Sequence, residues 1–328
     1  MNLGIIGYGY TGQQHARAVE DLPGVHLVAV AEIDPQKRDQ SKAPSFEHYG
    51  HLLADRNIDA VSICLPHALH EKVGAEALIS GKHVLMEKPL AISLAGGEHL
   101  CRLAKTASRV LMVEMTHRFM PPVIEARELI QDGEVGEIMA VTDTIVESSD
   151  LLSTSPSWRY NREQAGGGVG LSAIHLFDHI AWVIGQRLTL DSACFGFSQK
   201  LGNVEDTAAY SLHLANRAPV HVLLCRRIRG KGLESCLSIF GSKCTLHVDV
   251  WRGWTLETEP SRRQKVSFQS TLSVPERALK GMKRALAEFF AAIRESREPD
   301  PRPEESLESQ RLMEQAYVAF QGSATVLA

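Results

Sequence analysis

The chain offers two sets of residues whose types and spacing could do chemistry. The first is Gly7-Tyr8-Gly9-Tyr10-Thr11-Gly12, three glycines between an apolar strand and a helix. Gly7 permits the tight turn, Gly9 lets backbone approach a pyrophosphate, and Gly12 lets helix pack closely on sheet. A pyrophosphate held there meets the free N–H groups and positive dipole end of the helix, beside Tyr10 and Thr11. Glu32 ends the second strand 20 residues past Gly12. That is the spacing at which a carboxylate accepts the hydroxyls of an adenosine ribose. A 2′-phosphate would meet Glu32 with Asp34 close by, so NAD is favoured over NADP. Lys37 and Arg38 are the bases that could still hold such a phosphate.

The second set is Lys88 and His175. Lys88 follows a strand end and precedes Pro89, in the region where open α/β sheets bind ligands. A lysine beside an oxidised nicotinamide and partly desolvated has a depressed pKa and can serve as a base. On residue type alone it reads more readily as a surface lysine at a turn. His175 opens an apolar helix after a glycine-rich stretch, where a histidine is commonly a satisfied core residue. His175-Leu176-Phe177-Asp178-His179 is one residue type away from an inverted zinc motif. No third ligand can be picked out, so no metal is expected. Arg118 stands at the crossing between two domains, and Trp158-Arg159 in a long loop; each could touch substrate or anchor structure. No Ser/His/Asp set or Cys/His pair has supporting context, so nucleophilic hydrolysis is not indicated.

These residues need elements to position them. Leu3–Ile6, Val25–Ala31, Asp59–Leu65, His83–Met86 and Val110–Val113 read as strands, with helices over Gln13–Glu20, Leu69–Ile79 and Ser93–Thr106. Strands separated by helices imply a parallel sheet covered on both faces. After residue 118 the rhythm changes. Helices are expected over Pro121–Gln131 and Ala173–Ile184, a strand over Ile138–Val146, and a long loop over Leu151–Gly170. Strands then follow one another at Ala208–Leu214, Val220–Arg226, Leu233–Phe240 and Thr245–Val250, which suggests an antiparallel sheet with one covered face. Helices over Glu276–Arg294 and Glu304–Phe320 close the chain. The expected fold is α/β: a Rossmann dinucleotide-binding domain over 1–118, then an α+β domain over 119–328 with a large open antiparallel sheet.

Gly81-Lys82-His83-Val84-Leu85-Met86-Glu87-Lys88-Pro89-Leu90 resembles the GKHVxxEKP stretch of the Gfo/Idh/MocA oxidoreductases. Upstream, Asp59-Ala60-Val61-Ser62-Ile63-Cys64-Leu65-Pro66-His67, with His70, resembles that family's DAVxIxxPNxxH segment, His67 standing where Asn is common. Trp158-Arg159, Gly166-Gly167-Gly168, His175 with Asp178, and Glu205-Asp206-Thr207 follow in the family's order. The resemblance implies cofactor contacts from Leu65, Pro66, His67, His70, Glu87 and Lys88. It implies that Lys88 and His175 are catalytic, that Arg118, Trp158, Arg159, Lys88 and His175 line the substrate, and that the Lys88–Pro89 bond is cis. It also implies an oligomer, a dimer or tetramer, joined through the C-terminal sheet. Many relatives carry an Asp four residues before the histidine; here that position is Leu171, which leaves Lys88 to carry most of the proton transfer.

Composition narrows the function classes. Across 328 residues, 35 Lys and Arg against 39 Asp and Glu leave a net charge of −4. With no concentrated basic face, nucleic-acid binding is not expected; Arg226 to Lys231 reads as a solvated hairpin end. No apolar run approaches the ~18 residues of a membrane span, and no cationic leader precedes the first apolar residues. The six cysteines form no CxxC pair and read as reduced, mostly buried thiols of a soluble cytoplasmic protein. The expected activity is hydride transfer between NAD and a hydroxyl or carbonyl of a sugar, inositol or related polyol. The alternatives are a non-catalytic dinucleotide sensor, or a glycoside-cleaving enzyme that oxidises its substrate transiently.

Overall fold

The computed structural model describes residues 1–147, 156–197, 203–226, 233–259, 262–266 and 273–326. The chain divides into two compact units, Met1–Thr116 with Ala278–Leu307, and His117–Arg277 with Glu308–Ala328.

In the first unit, β1 (Asn2–Ile6), β2 (His26–Ala31), β3 (Ser45–Phe46), β4 (Ala60–Ile63), β5 (His83–Glu87) and β6 (Leu111–Glu114) form one sheet in the order β3-β2-β1-β4-β5-β6. All its pairs are parallel. Helices α1 (Tyr10–Val19), α2 (Pro35–Arg38), α3 (Gly50–Ala54), α4 (His70–Ile79) and α5 (Leu94–Ala107) connect the strands. Parallel strands buried on both faces read as apolar runs rather than alternations; β4 is buried at every residue. Ser93 starts α5 by accepting the Gly96 N–H at 3.1 Å. The strand order reverses between β1 and β4, and ligands of such sheets bind in the crevice beyond the strand ends at that point.

The second unit contains α6 (Pro121–Gln131), β7 (Ile138–Val146), α7 (Arg162–Ala165) and α8 (Ala173–Ile184). β8 (Leu188–Gly196), β9 (Thr207–Leu214), β10 (Pro219–Cys225), β11 (Glu234–Gly241), β12 (Thr245–Asp249), β13 (Gly253–Glu259) and β14 (Arg262–Val266) follow. With β7 they make an eight-stranded sheet in the order β14-β13-β12-β11-β7-β10-β9-β8. β10 alternates strictly between buried and exposed positions until its last residue, as a strand with one covered face must. α9 (Val274–Glu295) and α10 (Pro303–Val326) end the chain.

Several expectations need correction. The large sheet is not wholly antiparallel, because β7 and β10 pair in parallel; the helical crossover through α8 starts β8 in the same direction as β7, and two antiparallel turns later β10 has that direction again. A single cut after residue 118 does not divide the chain, since Ala278–Leu307 belongs with the first unit. β3, α2 and α3 are too short for a periodic signal, and the expected loop before α8 contains α7 and two single 3₁₀ turns. The stretch Arg162–Ile184 is long and apolar enough to cross a membrane, but 83% of its apolar part is buried in the fold. Among the cysteines only Cys101 and Cys244 are buried, while Cys194 and Cys236 are exposed. Residues 151–155 and 227–231, part of the expected loop and of the basic run, lie outside the described residues.

Candidate active site

The glycine loop fits a dinucleotide. Gly7 turns at φ +91°, in the left-handed region that favours glycine. A Cβ on Gly12 would lie 2.1 Å from the Gly7 carbonyl oxygen, so only glycine lets α1 pack this closely on the turn. Gly9 caps α1 without any side-chain bond, and a Cβ built there meets no atom within 4 Å. No capping side chain competes for the first N–H groups of the helix, the arrangement that accepts a phosphate. Glu32 Oε2 accepts the Tyr8 N–H at 2.8 Å and Oε1 accepts the Asp34 N–H at 3.1 Å, which fixes the carboxylate beside the loop. The two nearby bases are engaged elsewhere. Arg38 donates to the carbonyls of Glu32 and Ile33 at 2.7 and 3.0 Å, and Lys37 sits 3.3 Å from Asp34. Tyr10 and Ile33 are 70% and 76% exposed at the rim. The sequence reading missed Ile33; an apolar residue directly after the acid was the available signal.

At the ends of β4 and β5 the peptide bond Lys88–Pro89 is cis. Leu65, Pro66, His67, Glu87 and Lys88 are each partly exposed. His70 is not placed to meet a ligand. It is fully buried, with Nδ1 2.7 Å from the Pro89 carbonyl and Nε2 2.9 Å from that of Leu65. Burial pulls its pKa down although both carbonyls favour the charged form. Its work is to tie the two strand ends together, with the His67 ring edge-on at 5.4 Å.

In the second unit His175 lies in the first turn of α8 and is partly exposed. Its ring stacks on His117 with centroids 4.5 Å apart and planes at 20°. His117 Nδ1 is 3.0 Å from His179 Nδ1, and His179 Nε2 is 2.6 Å from Asp143 Oδ2. Trp251 closes the stack edge-on against His117 at 5.4 Å. The adjacent Arg118 grips Asp178 through Nε and Nη2, both at 2.7 Å. Arg118 is only 6% exposed, so this expected substrate contact is a buried anchor of the fold. Asp178 and His179 are bonded to different partners, so the zinc-like spacing does not converge on one point. Arg159 lies over the Trp158 ring at 5.4 Å, Trp158 half-buried and Arg159 exposed. The glycine run packs against a buried carboxylate: Glu205 Oε1 accepts from the Gly168 and Gly170 N–H groups and from the Tyr317 hydroxyl at 2.8, 2.9 and 2.6 Å.

Comparison with known proteins fits this architecture. Residues 1–115 match the oxidoreductase family with an NAD-binding Rossmann fold, GFO/IDH/MocA, and residues 123–247 match the C-terminal domain of the same family. The chain belongs to the GFO/IDH/MocA oxidoreductases. An oxidoreductase of Synechocystis sp. is 27% identical, over 98% of this chain and 94% of its own. Myo-inositol 2-dehydrogenase of Thermotoga maritima is 25% identical over 78% of this chain and 77% of its own. Levoglucosan dehydrogenase, solved with NADH and levoglucosan, has the same fold: TM-score 0.87 at 20% identity, over 98% of this chain and 97% of that one.

One buried cluster in this GFO/IDH/MocA fold was absent from the sequence reading. His15 on α1 points Nε2 at Glu114 Oε2, 2.5 Å away, and at Glu87 Oε1, 3.5 Å away. Its Nδ1 bonds the Ser62 hydroxyl at 2.7 Å, and Thr116 donates to Glu114 at 3.2 Å. The three acid and imidazole groups are near enough to suggest a cation site. A metal would hold its ligand atoms ~2 Å from itself and therefore further apart than 2.5 Å, so His15 and Glu114 are read as a close buried ion pair rather than as two ligands of one cation. Burial opposes a charge on His15; the Cys64 sulfur and Glu114 outweigh it and hold its pKa well above the ordinary 6.5. Burial likewise opposes ionisation of Glu87, but His15 and then Lys88 draw its pKa below 4.5. Burial raises that of Glu114. The signal available in sequence was a histidine three residues after Gly12 on an otherwise apolar helix face.

The cluster makes a stability prediction with a defined sign. The raised His15 contributes stability that is complete below 6.5 and lost as pH rises through its folded pKa. The depressed Glu87 contributes stability that is complete above 4.5 and lost as pH falls through its folded value. The destabilisation caused by His15→Gln should therefore be largest between 4.5 and 6.5, at roughly 3–5 kcal/mol for breaking a buried pair. Urea unfolding of both proteins across pH checks this; a gap that widens steadily into alkali contradicts it.

Proposed function

We propose that this GFO/IDH/MocA oxidoreductase is an NAD-dependent dehydrogenase that oxidises a hydroxyl of a sugar, inositol or related polyol, or reduces the matching carbonyl. The observation that carries the cofactor half is the glycine loop with its uncapped helix start beside a fixed Glu32 carboxylate. Myo-inositol 2-dehydrogenase and levoglucosan dehydrogenase among the relatives support the substrate class. When bound, the nicotinamide supplies the hydride acceptor. The α1 N–H groups hold the pyrophosphate, and Glu32 accepts the ribose hydroxyls. Lys88 takes the hydroxyl proton. Glu87, the residue before it, is kept ionised by His15. His175, in the second unit, is the other residue assigned to proton transfer.

Replacing Lys88 with Ala should lower kcat by about 10²–10⁴, the loss typical of a general acid–base group. A panel of polyols, inositols and sugars, read by NADH absorbance, measures it; near-full turnover in Lys88→Ala refutes the role. Tight NAD binding without turnover on any member of the panel in the unmodified protein would favour the sensor reading. Glycoside cleavage without net NADH would favour the transient-oxidation reading.

Glu32 sets cofactor choice in this proposal, through hydroxyl acceptance and repulsion of a 2′-phosphate. Glu32→Ser should weaken NAD binding and improve NADP binding. Tighter binding of NADP than NAD by the unmodified protein, measured by calorimetry, would overturn the assignment.

The uncovered face of the eight-stranded sheet supports assembly into a dimer or larger oligomer. Across one row of register Cys236, Thr144, Leu223, Ala209 and Cys194 lie side by side, without a charge among them. Leu223 and Phe240 are 41% and 38% exposed on this face. Sedimentation should find a dimer or larger; a monomer at micromolar concentration contradicts the proposal.

A further inference from the structure

Behind His175 the second unit holds a polar chain that the proposed reaction has not used. Asp143 and His179 are wholly buried and His117 is 5% exposed. Their contacts fix the direction of each hydrogen bond. The Asp143 carboxylate only accepts, so His179 donates to it through Nε2–H at 2.6 Å. In neutral His179 the other nitrogen, Nδ1, is then an acceptor. His117 must donate to it through Nδ1–H at 3.0 Å. That leaves Nε2 as the basic nitrogen of His117. The far oxygen of the carboxylate, Oδ1, is buried and has no hydrogen-bond partner among the described residues. An ionised carboxylate so poorly compensated gains from a proton brought to its neighbour.

We propose that Asp143, His179 and His117 form a one-proton relay that receives the proton His175 takes from substrate and so resets His175; this rests on the dehydrogenase reading above. His175 is the partly exposed ring of the stack and exchanges protons with substrate, directly or through water. His117 lies against it, buried, and exchanges with the relay. Two imidazolium rings with centroids 4.5 Å apart would repel, so the stack carries one charge at a time. A proton delivered to His117 Nε2, by a water spanning the ring edges, forms an N–H bond there. The Nδ1–H bond of His117 breaks, its proton bonds to His179 Nδ1, and His117 is again neutral. The charge ends on a His179 imidazolium paired with the Asp143 carboxylate. One proton has entered, and nothing in the relay is oxidised or reduced; after product leaves, the same bonds form and break in reverse and the proton passes out through the partly exposed His175 to solvent, which empties the relay for the next turnover. Reversal of the same steps returns the proton when a carbonyl is reduced.

The groups facing His117 are His175 and His179 on α8, Asp143 beyond His179 on β7, and the Trp251 ring; Arg118, next in the chain, is neutralised by Asp178. Leu171, at the position four residues before His175, is apolar and 8% exposed. A carboxylate that helps His175 therefore acts through His117 and His179. These three are positioning residues, since none is argued to touch substrate.

Nitrogen NMR of histidine-labelled, cofactor-free protein tests the relay without turnover. At neutral pH, His179 Nδ1 should be unprotonated and the Asp143–His179 proton strongly deshielded. On acidification His117 and His179 should take up one proton between them, and Asp143→Asn should abolish that shared step. Independent titration of both rings by a full proton each, or indifference to Asp143→Asn, overturns the relay. In turnover, His117→Phe keeps the stacked ring but removes its nitrogens. It should lower kcat roughly 10- to 100-fold, as loss of a supporting partner does. It should also shift the acid limb of the kcat–pH profile, with KM and the NAD dissociation constant unchanged within about two-fold. An unaltered kcat and profile in His117→Phe also overturns it. An unmodified protein that turns over no polyol or sugar counts against the dehydrogenase reading alone, and the NMR titration still decides the relay.

Discussion

Arg118 and Asp178 meet through two 2.7 Å hydrogen bonds in the interior of the second unit, and the polar side of α8 is arranged around that contact. Burying either charge alone would be costly, and removing one partner from such a pair is strongly destabilising. The fork of the guanidinium also fixes orientation, because both of its bonds must be kept in plane. Once Arg118 is locked to α8, its neighbour His117 has little freedom. It is carried against the next residue of the same helix, His179, and against the face of His175. The bland anchor thereby sets the geometry of the imidazole stack.

A similar economy governs the first unit. Glu87 sits one residue before Lys88, and its ionised state is kept by a histidine from α1 rather than by solvent. α1 is also the helix whose start faces the expected pyrophosphate. Packing Gly12 on Gly7 brings this helix close to the sheet, and one turn later the same closeness puts His15 between the ends of β4, β5 and β6. The glycine pattern thus has a second consequence beyond phosphate access. It determines the charge state next to the lysine that the proposed chemistry uses.

Much of this was legible in sequence, and the parts that were not share a cause. Long elements with strong periodicity, such as α6 over Pro121–Gln131 and β7 over Ile138–Val146, sit where the apolar spacing places them. Gly7, Gly12 and Glu32 were readable because their roles depend on local backbone and fixed spacing. The His15 cluster was not, because it joins α1 to residues 72 and 99 positions away in the chain. No local pattern encodes a contact of that span. His70 and Arg118, both named for ligand contact, show what spacing leaves out: both side chains are buried, His70 between two backbone carbonyls and Arg118 in a two-bonded pair with Asp178. The parallel pairing of β7 with β10 was likewise invisible, since strand patterning reports burial and not partner.

The stretch His175-Leu176-Phe177-Asp178-His179 shows how spacing can be sound evidence for the wrong chemistry. Residues at i, i+3 and i+4 share one helix face, and this is why the pattern suits a metal when the three point at one ion. Here they do share a face, on a helix otherwise buried in apolar contacts. What differs is the surface opposite. It presents a guanidinium to Asp178, a strand carboxylate to His179, and an imidazole shared by His179 and His175. Asp178 meets a cation, His179 meets both an acceptor and a donor, and His175 meets the flat face of His117. A buried polar face is stable only when every member is satisfied. Sequence spacing specifies that the face exists; the partners across it decide whether its members converge on one ion or are each satisfied separately.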